Sequence, residues 1–347
     1  MSSRLDIAYA TLVAELLDRC LDAQFDADFD EAGSFIKVKS KDRRYWYYKP
    51  SLRGGVADKR VYVGPADDAE INRRVETFRT YKNDFQARRR IVSTLVREAR
   101  LFAPDQRVGD VVEAVWKAGL FRLRACLVGT IAFQTYGTVL GYRLSGASLQ
   151  TGDIDLALFH LISVAVEDTM PPVLDVLKGV DESFRPIPQL GDKAGPSRFQ
   201  ADQGLRVEFL TPNRGSDDHA DKPAAMPSLG GASATPLRFL DFLIRDPVRT
   251  VLLHKGGVPV LVPDPSRYAV HKLIVAARRK TGTGKDLKDL EQAAKLATAL
   301  QATGRTADLK DAYREARERG AAWREAIDAS LSRLDRLGLK SMSDALA

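Results

Sequence analysis

Two short stretches carry residue types suited to work on phosphate. Leu127-Val128-Gly129-Thr130 runs an apolar strand into a glycine turn with a hydroxyl behind it, and Thr151-Gly152-Asp153-Ile154-Asp155-Leu156 holds two acids separated by one apolar residue. Side chains alternate along a strand, so Asp153 and Asp155 share one face while Ile154 and Leu156 turn to the core. Two carboxylates on one face repel each other, and a hard divalent cation with oxygen ligands is what holds such a pair together. Gly129 lets the backbone approach a phosphate closely, and the helix expected to open at Thr130 offers its free N–H groups to it. The chemistry expected is metal-assisted and acts on a phosphate.

Gly129-Thr130 combined with Asp153-x-Asp155 resembles the signature of the DNA polymerase β-like nucleotidyltransferase superfamily. The resemblance implies that Gly129 and Thr130 contact a nucleoside triphosphate and that Asp153 and Asp155 bind Mg²⁺ or Mn²⁺. It also implies a third acid on a later strand, for which Glu208 in the alternating run Arg206-Val207-Glu208-Phe209-Leu210 is the candidate. The interval from Gly129 to Asp153 is longer than is usual in that superfamily, so an insertion is expected around Gly141 to Gln150. Downstream, Asp264-Pro265 reads as an N-cap with proline in the first turn of a helix, Ser266 to about Arg279, that contains His271-Lys272. After Thr281-Gly282-Thr283-Gly284 comes Lys285-Asp286-Leu287-Lys288-Asp289-Leu290, opening another helix. This order is similar to the abortive-infection and minimal nucleotidyltransferases, which implies active-site roles for Lys272 and Asp286. The whole ordering looks most like a group of bacterial nucleotidyltransferase-fold proteins, and the likeness runs over roughly residues 30 to 300.

Plainer readings stand beside these. An Asp-x-Asp pair alone is more often structural than catalytic, and the upstream Gly-Thr turn is what tips it toward function. A strand-face Glu208 can simply pair with a basic neighbour on the next strand. Lys272 can be a snorkelling helix-surface lysine, Asp286 a first-turn acid favoured by the helix dipole, and Asp289 reads as exposed or structural. His271 reads as a packing or hydrogen-bonding residue. His160, His219 and His254 show no zinc-ligand spacing, so no zinc site is expected.

Charge points to a polyanion. Net charge is +7, and between Ser34 and Val63 nine basic residues (Lys37, Lys39, Lys41, Arg43, Arg44, Lys49, Arg53, Lys59, Arg60) face two acids. Tyr45, Trp46, Tyr47 and Tyr48 interleave with them, and the segment reads as two strands, about Ser34 to Tyr48 and Arg60 to Val63, turning at Gly54-Gly55. Cations for phosphate and flat rings for stacking suit single-stranded or looped RNA, with Lys37, Lys39, Arg43 and Arg44 expected on the backbone and Trp46 and Tyr48 on bases. Alternation separates Trp46 and Tyr48 from Tyr45 and Tyr47, so only one pair can stack while the other packs inward. A hairpin with its aromatics packed on neighbouring helices explains the same composition.

The elements that must position these residues fall into three expected units. Residues 1–107 form an N-terminal accessory module with helices at about Ser3 to Asp22 and Asp67 to Phe102 around the basic aromatic hairpin, 34–63. Residues 108–264 form an α+β nucleotidyltransferase core with strands at Cys126 to Val128, Ile154 to Phe159, Ser197 to Gln200, Leu205 to Leu210, Thr250 to Leu253 and Val258 to Val262. Residues 265–347 read as a C-terminal helical domain. Asn213 to Pro236, rich in Gly, Ala, Ser and Pro, reads as a long loop, either a flap over the site or a disordered excursion. Lys193 and Arg198 are expected near the same edge. Hydrophobic content of 44% over 347 residues is ample for packed cores, and no stretch has the uninterrupted apolar length of a membrane span. Met1 to Cys20 is dotted with charges and lacks the apolar centre of a signal peptide, so the cytoplasm is expected. Cys20 and Cys126 have no metal-ligand spacing.

The expected activity is Mg²⁺-dependent transfer of a nucleoside monophosphate from an NTP to an acceptor hydroxyl, with tRNA or another RNA as acceptor and a protein or small molecule left open. The alternative is a non-catalytic RNA- or protein-binding module of the same fold, as in a toxin–antitoxin or defence component.

Overall fold

The protein is represented by a computed structural model that describes residues 2–22, 33–40, 43–49, 60–144, 151–160, 163, 170–188, 194–213, 222–279 and 284–347. Its architecture is α+β, a mixed central sheet with helices around it, as the residue pattern predicts.

The sheet is built on two parallel strands, Asp153–Ala157 and Arg206–Pro212, paired so that Asp155 lies beside Glu208 and Asp153 beside Arg206. The alternate positions Ile154, Leu156, Val207 and Phe209 are all 0% exposed, so one face of both strands is committed to the core and the acids are left on the other. Cys126–Val128 pairs antiparallel with the first strand, setting Val128 opposite Asp155 and delivering the following Gly129 to the same place. The other edge of Arg206–Pro212 is shared. Its first half pairs antiparallel with Arg198–Gln200 across the turn containing Gly204, and its second half pairs parallel with Ser233–Leu237.

That last strand corrects the reading of Asn213 to Pro236 as one long loop. Residues 214–221 lie outside the described ones, but Ser233–Leu237 is inside the sheet with Ser233, Ala234, Thr235 and Pro236 buried. Small side chains weaken a strand signal in sequence yet fit a crowded buried edge, since strand preference reflects packing more than the backbone.

The helix Pro265–Arg278 opens as expected, with Asp264 accepting hydrogen bonds from the Ser266 and Arg267 N–H groups at 2.8 and 3.4 Å. It packs with Lys285–Ala302, Thr306–Glu318 and Ala321–Arg336, and these helices share one continuous apolar core with the sheet. A second core joins Ile7–Asp22 and Ala69–Arg97 to the hairpin Val248–Leu252 and Val258–Val262 through Leu16, Cys20, Val92, Leu95, Val251 and Leu253. Arg88 ties this contact, donating to Gly256 O at 3.1 Å and to Asp84 at 2.8 Å. Both cysteines are buried and free.

The basic aromatic segment is a three-stranded antiparallel sheet, Ser34–Ser40, Arg43–Lys49 and Val61–Pro65, where a single strand was expected over Ser34 to Tyr48. The expected turn at Gly54-Gly55 lies outside the described residues. Trp46 and Tyr48, expected to stack on bases, are each 4% exposed and face the helix Ala69–Arg97. Trp46 Nε1 donates to Asn72 Oδ1 at 3.0 Å, and the Tyr48, Phe35 and Phe78 rings pack together, Phe35 and Phe78 edge-on with centroids 4.9 Å apart. Sequence alternation separates the two aromatic pairs but does not say which one meets the helix. Trp46→Ala or Tyr48→Ala should therefore cost about 3–5 kcal/mol of stability, the usual loss for a buried large ring, read as a lowered midpoint in chemical denaturation.

Candidate active site

Three chain segments converge on the outer face of the two acid-bearing strands. Asp153 and Asp155 come from the same strand and Glu208 from its parallel neighbour, in register with Asp155. Gly129 begins the helix Gly129–Leu140 with a φ of +65°, and no side chain caps that helix start. A Cβ at Gly129 would lie 2.3 Å from Asp155 Oδ2, so the turn sits directly against the carboxylate and only glycine fits. Thr130 follows, half-buried.

The electrostatics match the geometry. Burial, then the neighbouring charges of Glu208 and Asp153, push the Asp155 carboxyl up to about 6, against the opposing pull of Lys272 and Arg279. A carboxylate so destabilised by its own neighbours is what a divalent cation would relieve, and oxygen donors from Asp153, Asp155 and Glu208 are the hard ligand set that Mg²⁺ or Mn²⁺ takes. The donor types suit such an ion, with their oxygens spread wider than a closed ligand set. Glu208 is meanwhile engaged by Arg198, whose Nε donates to Oε1 at 2.7 Å, with the side chains 27% and 44% exposed. An ion pair this open contributes about 0–1 kcal/mol, so the carboxylate is released at little cost.

Lys272 and Asp286 are not brought together. Lys272 Nζ donates to Asp289 Oδ1 at 2.6 Å, and Arg279 Nε donates to Asp289 Oδ2 at 2.5 Å. Asp286, expected with Lys272 among the active-site residues, accepts from Arg333 Nη2 at 2.7 Å, a hydrogen bond that holds its carboxyl below the usual range. The reason is helical: positions three apart point about 60° from each other, and here the later acid faces the lysine helix while the earlier faces Ala321–Arg336.

Other residues at this centre had no assigned role in the sequence reading. The Tyr268 hydroxyl lies 2.8 Å from Gly129 O and 3.1 Å from Gln292 Oε1, and its ring lies beneath Lys272 Nζ, 5.1 Å from ring centre to nitrogen. The Lys288 ammonium has its pKa lowered by burial and by the charge of Lys272, with Asp153 among the groups that oppose the shift. Helical spacing held a signal for two of them, because Tyr268, Lys272 and Arg279 fall at i−4, i and i+7 along one stripe. Of the remaining expected contacts, Lys193 lies outside the described residues, whereas Arg198 is the partner of Glu208.

Among the described residues, the acids and histidine whose ligand atoms all come within 4.8 Å of one another are Asp110, Glu113 and His254, so the oxygens of Asp153, Asp155 and Glu208 stand farther apart than that. The Lys255 ammonium already lies 2.6 Å from both carboxylates, and His254 Nε2 lies 2.9 Å from Asp110 Oδ1. Two lysines balance its two carboxylates, Lys255 between both and Lys117 at 3.1 Å from Glu113.

A family model described as nucleotidyltransferase matches residues 106–318, more than half of the chain, and the chain belongs to that family. The match runs through the sheet, the Gly129 turn, the acids and the helices bearing Lys272 and Asp289. No curated protein matches the chain. No helix among the described residues is long and apolar enough to cross a membrane.

The pH dependence of stability tests the electrostatics. Asp155 has its folded pKa raised, so below about pH 3 it is protonated in folded and unfolded chains alike and costs nothing, and the penalty grows as pH rises to about 6. Asp155→Asn should then leave stability unchanged at about pH 3 and raise it by roughly 1–3 kcal/mol above pH 6.5. Denaturation of both proteins across that range measures the gap, which Mg²⁺ should narrow by stabilising only the parent.

Proposed function

We propose that this nucleotidyltransferase-family protein transfers a nucleoside monophosphate from an NTP to an acceptor hydroxyl, with RNA as the acceptor. The observation that carries the reading is the packing of the Gly129 turn directly against Asp155, with Glu208 in register beside it and the Lys272 charge acting on the same carboxyl. Phosphate-binding backbone, clustered acids and a buried cation are the three parts that positioning and charge stabilisation of phosphoryl chemistry require.

Asp153, Asp155 and Glu208 would hold Mg²⁺ or Mn²⁺, which when bound supplies positive charge to the triphosphate. The chain's own groups supply the rest. Free N–H groups at the start of Gly129–Leu140, with the Thr130 hydroxyl, bind the β and γ phosphates. Lys272, fixed by Asp289, opposes the charge that gathers on the departing pyrophosphate. The acceptor oxygen forms its bond to the α-phosphorus as the bond to the bridging oxygen breaks, and its proton passes to a nearby carboxylate, with Glu208 the group proposed. The N-terminal basic sheet supports RNA as acceptor over a small molecule.

A non-catalytic module of the same fold draws support from the Arg198–Glu208 pair, which engages the third acid. Its half-exposed geometry argues for an exchangeable partner.

Incubation with each radiolabelled NTP, Mg²⁺ or Mn²⁺, and total RNA or cell protein should label RNA. Asp153→Asn and Asp155→Asn should abolish that labelling while the fold persists; labelling that merely tracks the folded fraction would return the acids to a structural role. Lys272→Ala should slow transfer roughly ten- to a thousand-fold. Asp289→Asn should approach that loss and Asp286→Asn should not, because only Asp289 touches the lysine. Equal effects of the two aspartate variants on single-turnover rates would refute this assignment.

A further inference from the structure

The positive charge of this chain is concentrated in one region. Residues 34–97 hold 17 Lys and Arg against seven Asp and Glu, a surplus of ten that exceeds the net +7 of the whole chain, so the remainder is slightly acidic. Within that region the strands Ser34–Ser40, Arg43–Lys49 and Val61–Pro65 contain five basic residues and no acid, and Arg60 precedes the last of them. Lys37, Lys39, Arg44, Lys49 and Arg60 are exposed.

The two faces of this sheet differ. One packs Trp46, Tyr48 and Phe35 toward Ala69–Arg97, with Lys37 Nζ capping the outer side of Trp46 at 4.7 Å from the ring centre. The opposite face carries Tyr45 and Tyr47 on the central strand, each half-buried, paired across to Val38 and Ile36. Lys49 follows two residues beyond Tyr47 on that same face. Two tyrosines at alternate positions of a central strand stand about 7 Å apart along it, beside Val38 and Ile36 and with Lys49 on the same face, whereas Lys37, Lys39 and Arg44 stand on the Trp46 face.

We infer that the Tyr45–Tyr47 face of the N-terminal sheet is the docking surface for single-stranded RNA, its rings stacking on bases, Lys49 meeting a phosphate on that face and the exposed Lys37, Lys39 and Arg44 of the other face adding to the positive field around it. Stacking platforms combined with cations are how single strands are bound without a base code. A protein partner would be expected to meet acids as well as bases at its rim, and these strands have none. The inference deepens the proposed function by naming where the acceptor docks, and it relies on that reading only for the role of the bound RNA.

Fluorescence anisotropy of a short labelled single-stranded RNA with the full chain, over a series of salt concentrations and without NTP, tests it. Tyr45→Ala and Tyr47→Ala should each weaken binding roughly 5- to 150-fold with the salt slope unchanged. Lys49→Ala should reduce the logarithmic salt slope by about 0.7. Tyr45→Phe and Tyr47→Phe should retain affinity, since the ring and not the hydroxyl does the stacking. Unchanged affinity in a Tyr45→Ala/Tyr47→Ala double variant with parental circular dichroism would overturn the inference, as would duplex RNA competing as well as the single strand. Loss of labelling in Asp155→Asn with RNA affinity intact separates the two readings. No labelling of any acceptor by the parent, alongside tyrosine-dependent RNA binding, would defeat the transferase reading and leave the docking surface standing; labelling of protein with no RNA binding would do the reverse.

Discussion

Three carboxylates are held together here by a backbone that gives them no alternative. Asp153, Asp155 and Glu208 occupy one face of two parallel strands because the other face, Ile154, Leu156, Val207 and Phe209, is fully withdrawn into the core. A one-residue slip of either strand would turn its two buried apolar side chains to solvent, so the register is secured by hydrophobic burial and the repulsion among the acids is tolerated as a consequence. The penalty surfaces at Asp155, the most enclosed of the three, and the surrounding features answer it: a glycine with no side chain beside it, Arg198 on Glu208, and the charges of Lys272 and Arg279 behind.

Those two cations depend in turn on one acid. Asp289 is 3% exposed and accepts from both the buried Lys272 and the partly exposed Arg279, so the trio carries a single net positive charge. Breaking a buried pair by removing one partner leaves an uncompensated charge, a far larger effect than losing an exposed pair such as Arg198–Glu208. The two ion pairs nearest the acids therefore differ in kind. One is a fixed part of the framework, and the other is a removable counter-charge.

Much of this was legible in the residue pattern, and what was not has identifiable causes. Strict alternation around Asp153, Asp155 and Glu208 announced both the strands and the shared face, and Asp264-Pro265 announced the start of its helix. Ser233–Leu237 escaped notice because small buried side chains imitate a loop in composition. Asp286 and Asp289 both precede leucines on one helix, and choosing between them requires knowing which neighbour each side of the helix meets. The same limit applies to the aromatic strand, where alternation sorts Tyr45 and Tyr47 from Trp46 and Tyr48 but the packing of Phe78 decides which pair goes inward. Local pattern yields faces; only the tertiary fold yields their partners.

The bond from Tyr268 to the Gly129 carbonyl carries a mechanical implication. The residue that steadies the glycine turn stands one helical turn from Lys272, on a helix whose core is continuous with the sheet. Turn and lysine are thus fastened to the same rigid body, with the Tyr268 and Phe133 rings stacked between them at 6.1 Å. Such a framework behaves as a mould and not as a jaw: a triphosphate would find the spacing between turn and cation already set, and would forgo the entropic penalty of closing two halves around itself.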